Sequence, residues 1–397
     1  MLVESAEADA SRPGAPGQTV EPWLIVCGGF HQLGGMDRAN LALAKYLRST
    51  GHPVTLVGHD FDAESSKQFF NPVSVPRLRW TPLGERLLSA IGNRRARDLR
   101  RSCPTARVVV NGGNCTFGDI NWLHYVHHAW NPDPRELPMA IQAKHSLLQG
   151  MYLHREKRAL EAAGLIIANS NSTAQHILRL GIDASKIRVI YLGCSPELRP
   201  PVPEERLAAR RWLQIAEDEQ VVAFVGALGW DDRKGLSTLW RAMNELWQQQ
   251  QFKTVLVIAG GGAKLRWWRQ QIQSSKFRKQ VRILGFTDRV NDILAAADLL
   301  ASPCRYEPYG LNVQEAICRG VPSVVSACAG IAELYPAELS PLLLRDPNDA
   351  IALANSLSQC LTEMNLWKEG TRSFANSLQK RTWAEMSREF VTAASRK

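Results

Sequence analysis

Two glutamates, Glu307 and Glu315, stand eight positions apart in Arg305-Tyr-Glu-Pro-Tyr-Gly-Leu-Asn-Val-Gln-Glu315, on either side of Gly310. Upstream, Asp298-Leu-Leu-Ala-Ser-Pro303 is apolar and long enough for a buried strand. Downstream, Val313, Ala316 and Ile317 share one helical face, and the helix should stop at Gly320, with Pro322 just beyond. Glu307 is therefore expected on the loop leaving a strand, and Glu315 about one turn inside the next helix. The N-terminus of that helix offers free backbone N–H groups and a partial positive charge, which suit an anion. A phosphate at Gly310-Leu311-Asn312, flanked by carboxylates that accept hydrogen bonds from hydroxyls, describes a site for a sugar joined to a phosphate.

Three further segments carry chemistry. Gly28-Gly-Phe-His-Gln-Leu-Gly34-Gly35 leaves the first strand and opens the first helix, so backbone can approach a ligand closely there. It departs from G-x-G-x-x-G, which argues against a dinucleotide site. Arg233-Lys234-Gly235 follows another strand and precedes a helix, where a lysine point charge and a planar guanidinium suit a pyrophosphate. The adjacent Asp231-Asp232 is weak support for a divalent metal. Asn121-Trp-Leu-His124-Tyr-Val-His127-His128 places three histidines toward the end of a predicted strand. His124 and His127 cannot share one face of a regular strand, and no acidic partner stands at ligand spacing, so no metal site is expected. His127, at the strand's carboxyl end, is the best candidate to face a cleft.

The elements that must position these residues alternate between apolar strand-like runs and helical patterns, the signature of βαβ units around parallel sheets. The first half gives Trp23–Gly29, a helix over 36–50, Pro53–His59, Ala106–Gly112, Ile120–His127, Gly164–Ser170 and Lys186–Gly193. The second gives Val221–Leu228, Thr254–Gly260, Val281–Phe286, Ala297–Pro303 and Val321–Ala327. Between them, Gly193–Pro203 is proline-rich and lacks either periodicity. A chain of 397 residues exceeds one ordinary core. The expected division is a tail over 1–19, a first Rossmann-like domain over 20–195, a second over 205–378 and a closing helix over 379–397. A ligand then belongs in the cleft between the carboxyl ends of two sheets.

Composition excludes several classes. No apolar run approaches the roughly 18 residues of a membrane span. The acidic, Ala/Pro/Gly-rich first 19 residues read as a loose tail and not as a signal peptide. The eight cysteines form no C-x-x-C pair and read as small buried hydrophobes in a reducing compartment, with the cytoplasm as default. The net charge of +10 is concentrated at Arg77, Arg79, Arg86, Arg94, Arg95, Arg97, Arg100, Arg101 and Arg107, interleaved with apolar residues such as Leu87, Leu88 and Ile91. The segment reads either as an amphipathic helix with its apolar side on the domain, or as a basic face for anionic lipid at the inner membrane surface. No recognition motif supports nucleic acid.

Taken in order, these segments resemble the retaining glycosyltransferases of family four, with the two-domain GT-B architecture. Ser302-Pro303 through Glu315-Ala316 carries the E-x7-E signature. Gly34-Gly35, Ala168-Asn-Ser-Asn-Ser172, Arg233-Lys234-Gly235 and Thr382-Trp383 support it, the last beginning a closing helix that in this fold crosses back to the first domain. The resemblance implies transfer of a hexose from a nucleotide-diphosphate sugar to an acceptor hydroxyl on a sugar or lipid, with no cofactor and no metal. It assigns Glu307 to the donor sugar's hydroxyls and the developing positive charge, and Glu315 to the ribose. Gly310, Leu311 and Asn312 would offer amides to the distal phosphate, Lys234 would neutralise the departing diphosphate, and Gly35 would face the same group from the other domain. His127 matches the first-domain histidine beside the transferred sugar, with His124 as the fallback. One position departs: where the family carries an arginine after Val225-Gly226, this chain has Ala227, and Arg233 is the candidate replacement. A GT-B-type epimerase and a non-catalytic nucleotide-sugar-binding protein share the same fold and motifs.

Overall fold

The computed structural model describes residues 20–62, 72–77, 83–132, 138–249 and 253–395. The expected tail over 1–19 and Arg79 of the basic segment lie outside them.

Two all-parallel sheets dominate. In the first, the strands lie in the order Val73–Ser74, Val54–Gly58, Trp23–Val26, Arg107–Val110, Ile120–Leu123, Leu165–Ala168 and Ile187–Val189. In the second the order is Val281–Gly285, Thr254–Ala259, Gln220–Val225, Leu299–Ser302, Ser323–Ser326 and Leu343–Leu344. Each sheet starts at a central strand, winds outward one way, then returns and winds the other way. That order places a switch point beside Trp23–Val26 in the first lobe and beside Gln220–Val225 in the second. Loops leave in opposite directions at a switch point and open a crevice at the strands' carboxyl ends. Both faces of each sheet are covered, so the strands are continuous apolar runs: Leu24, Ile25 and Val26 are buried, as are Val255, Leu256, Val257 and Ile258.

The helices that matter most follow those central strands. Helix α1 (Gly35–Ser49) buries Leu41, Leu43, Ala44 and Leu47 against the first sheet. Helix α2 (Leu83–Ser102) is the basic segment. It lays Leu88, Gly92 and Ala96 on the core, while Arg94, Arg95, Arg97 and Arg101 are exposed. Arg100 pairs with Asp119 at 2.7 Å and Arg77 with Asp60 at 2.6 Å. Helices α3 (Met139–Ala162) and α4 (Asn171–Leu178) complete the site side of the first lobe. In the second lobe, α5 (Leu236–Gln248) follows Arg233-Lys234-Gly235, and α6 (Leu311–Cys318) follows the loop bearing Glu307.

The last helix, α7 (Trp383–Ser395), packs on α1 in the first lobe. Its Phe390 is fully buried, 4.8 Å from the Trp122 ring and 6.5 Å from Trp23 by centroid. The chain thus leaves the first lobe near Cys194, builds the second, and returns. Cys194 also donates its backbone N–H to Arg381 at 2.8 Å, which fastens the outgoing and returning segments together. Cys27, Cys115, Cys194, Cys304, Cys318 and Cys360 are buried as expected, whereas Cys103 is half-buried and Cys328 exposed; none of the eight forms a disulfide. No helix of the described residues is long and apolar enough to cross a membrane.

Candidate functional site

Gly35 and Gly310 begin two helices that open onto one cleft. Helix α1 is preceded by Gly34 and α6 by Gly310, and neither helix has a side chain capping its first-turn amides. Gly310 has φ 109°, a conformation that side chains resist, and an added Cβ would press on Ile331 at 2.8 Å. The helices meet across the crevice: a Cβ on Gly35 would lie 3.5 Å from Leu311. Two sets of unpaired N–H groups with their partial positive charges therefore converge on one space. Asn312 fixes α6 by donating from Nδ2 to the Val225 carbonyl at 2.9 Å, tying it to the end of a central strand.

The cleft has a volume of about 1270 Å³. Its lining includes Gly35, Arg233, Lys234, Glu307, Gly310, Leu311, Asn312 and Glu315, so residues from three separated motifs form one surface. Lys234 donates from Nζ to Glu307, whose side chain is largely buried. Burial would raise the Glu307 carboxyl, but Lys234 and Arg233 overcome it and hold the group below the usual carboxylate range. Lysine has two further N–H donors, so the same ammonium can serve a phosphate oxygen without releasing Glu307. Gly235 lets the lysine loop approach: its φ is +74°, and any Cβ would overlap the Pro303 carbonyl. Arg233 sits over the Tyr125 ring at 5.2 Å and donates to the Tyr306 carbonyl at 3.4 Å.

Glu315 is bound across the cleft by Arg38, from the first turn of α1. Sequence reasoning missed this cation. The signal was present, since Arg38 lies three positions after Gly35 and must turn toward the same mouth, but its partner is 277 positions away. Other contacts also join the lobes. Ser170 donates to the Pro308 carbonyl at 2.7 Å, and the Val126 amide donates to Tyr306 Oη at 3.0 Å. The Asn171 and Ser172 amides, at the start of α4, donate to Glu333 at 2.8 and 2.6 Å. The Ala168–Ser172 motif is therefore a docking edge for the second lobe.

The histidines differ from expectation. The strand predicted over Ile120–His127 ends at Leu123, and His127–Ala129 forms a short 3-10 turn, so strand alternation does not govern these side chains. The histidine on the cleft wall is His124, the fallback, and not His127. Burial pushes the His124 imidazole down to about 3, so it is neutral at physiological pH. Its Nε2 is buried with no hydrogen-bond partner among the described residues. His127 instead points its Nδ1 at Glu156 Oε1, 2.9 Å away. The acidic partner absent at ligand spacing is thus supplied by α3, 29 positions on. Among the described residues no cluster of three or more histidine, cysteine or acidic side chains could hold a metal ion.

Comparison with known proteins agrees with this geometry. Residues 33–198 match the model described as Glycosyltransferase Family 4, and residues 219–363 match Glycosyl transferases group 1. The chain belongs to this glycosyltransferase family. It is 26% identical over 378 residues to the lipopolysaccharide glucosyltransferase WaaG of Escherichia coli K12, covering 91% of this chain and 96% of that one. It is 33% identical over 172 residues to an uncharacterized glycosyltransferase of Methanocaldococcus jannaschii, covering 42% and 43%. The chain spans about half the length of several of the curated relatives it matches. Among solved structures, HepE of Anabaena with UDP and glucose superposes with a TM-score of 0.70 at 19% identity, covering 95% of this chain and 100% of that one. This likeness establishes the GT-B fold of two facing Rossmann-like lobes.

Proposed function

We propose that this protein is a retaining glycosyltransferase that moves a hexose from a nucleotide-diphosphate sugar to an acceptor hydroxyl. One observation carries the reading. Two uncapped helix N-termini, from different lobes, converge on a cleft that also holds Lys234, Arg233 and the buried, ionised Glu307. In this reading the diphosphate lies between Gly35 and Gly310-Leu311-Asn312, the ribose meets Glu315, and the hexose lies near Glu307 and His124. Departure of the diphosphate breaks the C1–O bond, and its electron pair stays on the phosphate oxygen. Lys234, Arg233 and the helix amides stabilise that charge where it forms, with no metal required. The acceptor oxygen bonds to C1 from the face the diphosphate leaves, and the acceptor proton passes to a phosphate oxygen. Arg38, reaching Glu315, supports closure of the lobes and exclusion of water.

UDP-glucose is the first donor to test, because HepE is described with UDP, glucose and UDP-glucose, and WaaG is named a glucosyltransferase. The acceptor is proposed to be a glycan or glycolipid. The exposed Arg94, Arg95, Arg97 and Arg101 on α2 suit contact with an anionic cytoplasmic membrane face. Thermal shift with UDP, GDP and their hexose derivatives tests the donor class, since a ligand of the native state raises the melting temperature. Stabilisation by one diphosphate and its sugar is expected; no shift from any of them would end the proposal.

A further inference from the structure

The buried Glu156 of α3 is spent on two histidines outside the donor cleft. Its Oε1 accepts from the His127 amide and Nδ1, both at 2.9 Å. Its Oε2 lies 2.9 Å from His128 Nδ1 and 3.4 Å from the His128 amide. The carboxylate side chain has no exposed surface, whereas those of His127 and His128 are 39% and 25% exposed. Burial would raise the Glu156 carboxyl, but its bonds to His127 and His128 hold it below the usual range, so it is an acceptor only. Each Nδ1 must then carry the proton. In a neutral imidazole this leaves Nε2, on the far side of the ring, as a lone-pair acceptor. No described residue bonds to either Nε2.

Two tyrosine rings flank His127. Tyr152 stacks on His127 at 5.4 Å and 20°, and its hydroxyl is tied to Glu85 at 3.1 Å. Tyr125 packs edge-on to His127 at 4.9 Å and also lines the donor cleft, so the histidine pair lies one aromatic ring beyond that cleft. In the neutral form, two Nε2 acceptors held on one carboxylate beside Tyr125 and Tyr152 match neighbouring hydroxyls of a pyranose. They do not match a metal, because both carboxylate oxygens are occupied and a zinc site takes about four ligands.

We infer that His127 and His128, aligned by Glu156 as a positioning residue, form the subsite that receives the hydroxyls of a carbohydrate acceptor beside Tyr125. The inference rests on the transferase reading and adds where the acceptor's sugar binds and which side chains receive it. The test is titration of histidine-15N-labelled full-length protein, with and without UDP, by methyl α-glucoside, methyl α-mannoside and maltose as probes. At least one probe should saturably shift both Nε2 resonances. Its Kd should rise about tenfold or more in the His127→Ala/His128→Ala variant, the loss expected for two hydrogen bonds. UDP affinity should stay within about twofold, since neither side chain lines the donor cleft. Glu156→Gln places an amide N–H₂ against one ring and should switch one histidine to the Nε2–H tautomer, with a matching loss of probe affinity. Absence of any probe shift, equal affinity in the double variant, or full affinity in a tautomer-switched Glu156→Gln would each overturn the subsite. Failure of UDP to bind, with the probe shifts intact, would count against the donor reading and leave the sugar subsite standing.

Discussion

On the second-lobe wall of the cleft, Lys234, Glu307 and the α6 amides stand on loops at the ends of two adjacent central strands, Gln220–Val225 and Leu299–Ser302. On the first-lobe wall, Arg38 comes from α1, and His124 and Tyr125 from the end of the fifth strand in the sheet. The second wall satisfies its buried carboxylate from within its own lobe. The first wall sends its cation across the gap to Glu315. A wall partnered internally is preformed, whereas one partnered across the cleft is complete only when the lobes are together. Donor binding should therefore depend on the second wall in chemistry and on the first wall in closure.

The sharpest way to break this contrast is Lys234→Ala. Loss of the cation from the forming diphosphate should lower kcat by about 10³-fold, measured as UDP release from UDP-glucose. The same change strands Glu307 as a buried, unpaired carboxylate and should destabilise the lobe by about 3 kcal/mol in urea unfolding. Adding Glu307→Gln should restore most of the stability and none of the rate. If Lys234→Ala keeps wild-type turnover, the preformed wall is not the catalytic one.

Arg38→Ala should act differently, weakening UDP-glucose binding by about ten- to thirtyfold while leaving the unfolding of the second lobe unchanged. Small-angle scattering should then show a larger radius of gyration with donor bound. An unaltered donor Kd would reduce Arg38 to a surface pair. Arg233→Ala addresses the position where Ala227 replaces an expected arginine. About a tenfold loss of UDP affinity is expected by calorimetry, and no loss would remove Arg233 from the phosphate.

These charged side chains also show what could be read from the chain. Glu307, Gly310, Glu315 and the Arg233-Lys234 pair were legible because a strand–loop–helix unit fixes which residues face its mouth over a few positions. The alternating sheets were legible for a similar reason: doubly covered strands must be apolar throughout, as in Val255-Leu-Val-Ile258. The placements of His124 and His127 were not. The strand stops at Leu123, and which imidazole turns to the cleft depends on a carboxylate 29 positions away. Nothing local encodes that partner.

The last expected effect concerns His124 and falls on stability, with none expected at neutral pH. Its folded pKa, about 3, lies below the ordinary value of 6.5, so the folded state binds fewer protons between those limits. The stability it contributes is complete above pH 6.5 and is lost as the pH falls toward 3. By pH 5 the loss should reach about 2 kcal/mol, and His124→Gln should flatten that limb of a melting-temperature profile between pH 4.5 and 7.5. An unchanged profile would show that this wall is more open to water than the cleft geometry indicates.

Short-range patterns fixed the strands, the helices that follow them and the glycines that start α1 and α6, because backbone geometry and burial act over a handful of residues. The pairing of Arg38 with Glu315, the capture of two histidines by Glu156 and the seating of Glu333 on the start of α4 were decided only when the lobes folded and met. Such contacts depend on distances in space that no spacing along the chain specifies.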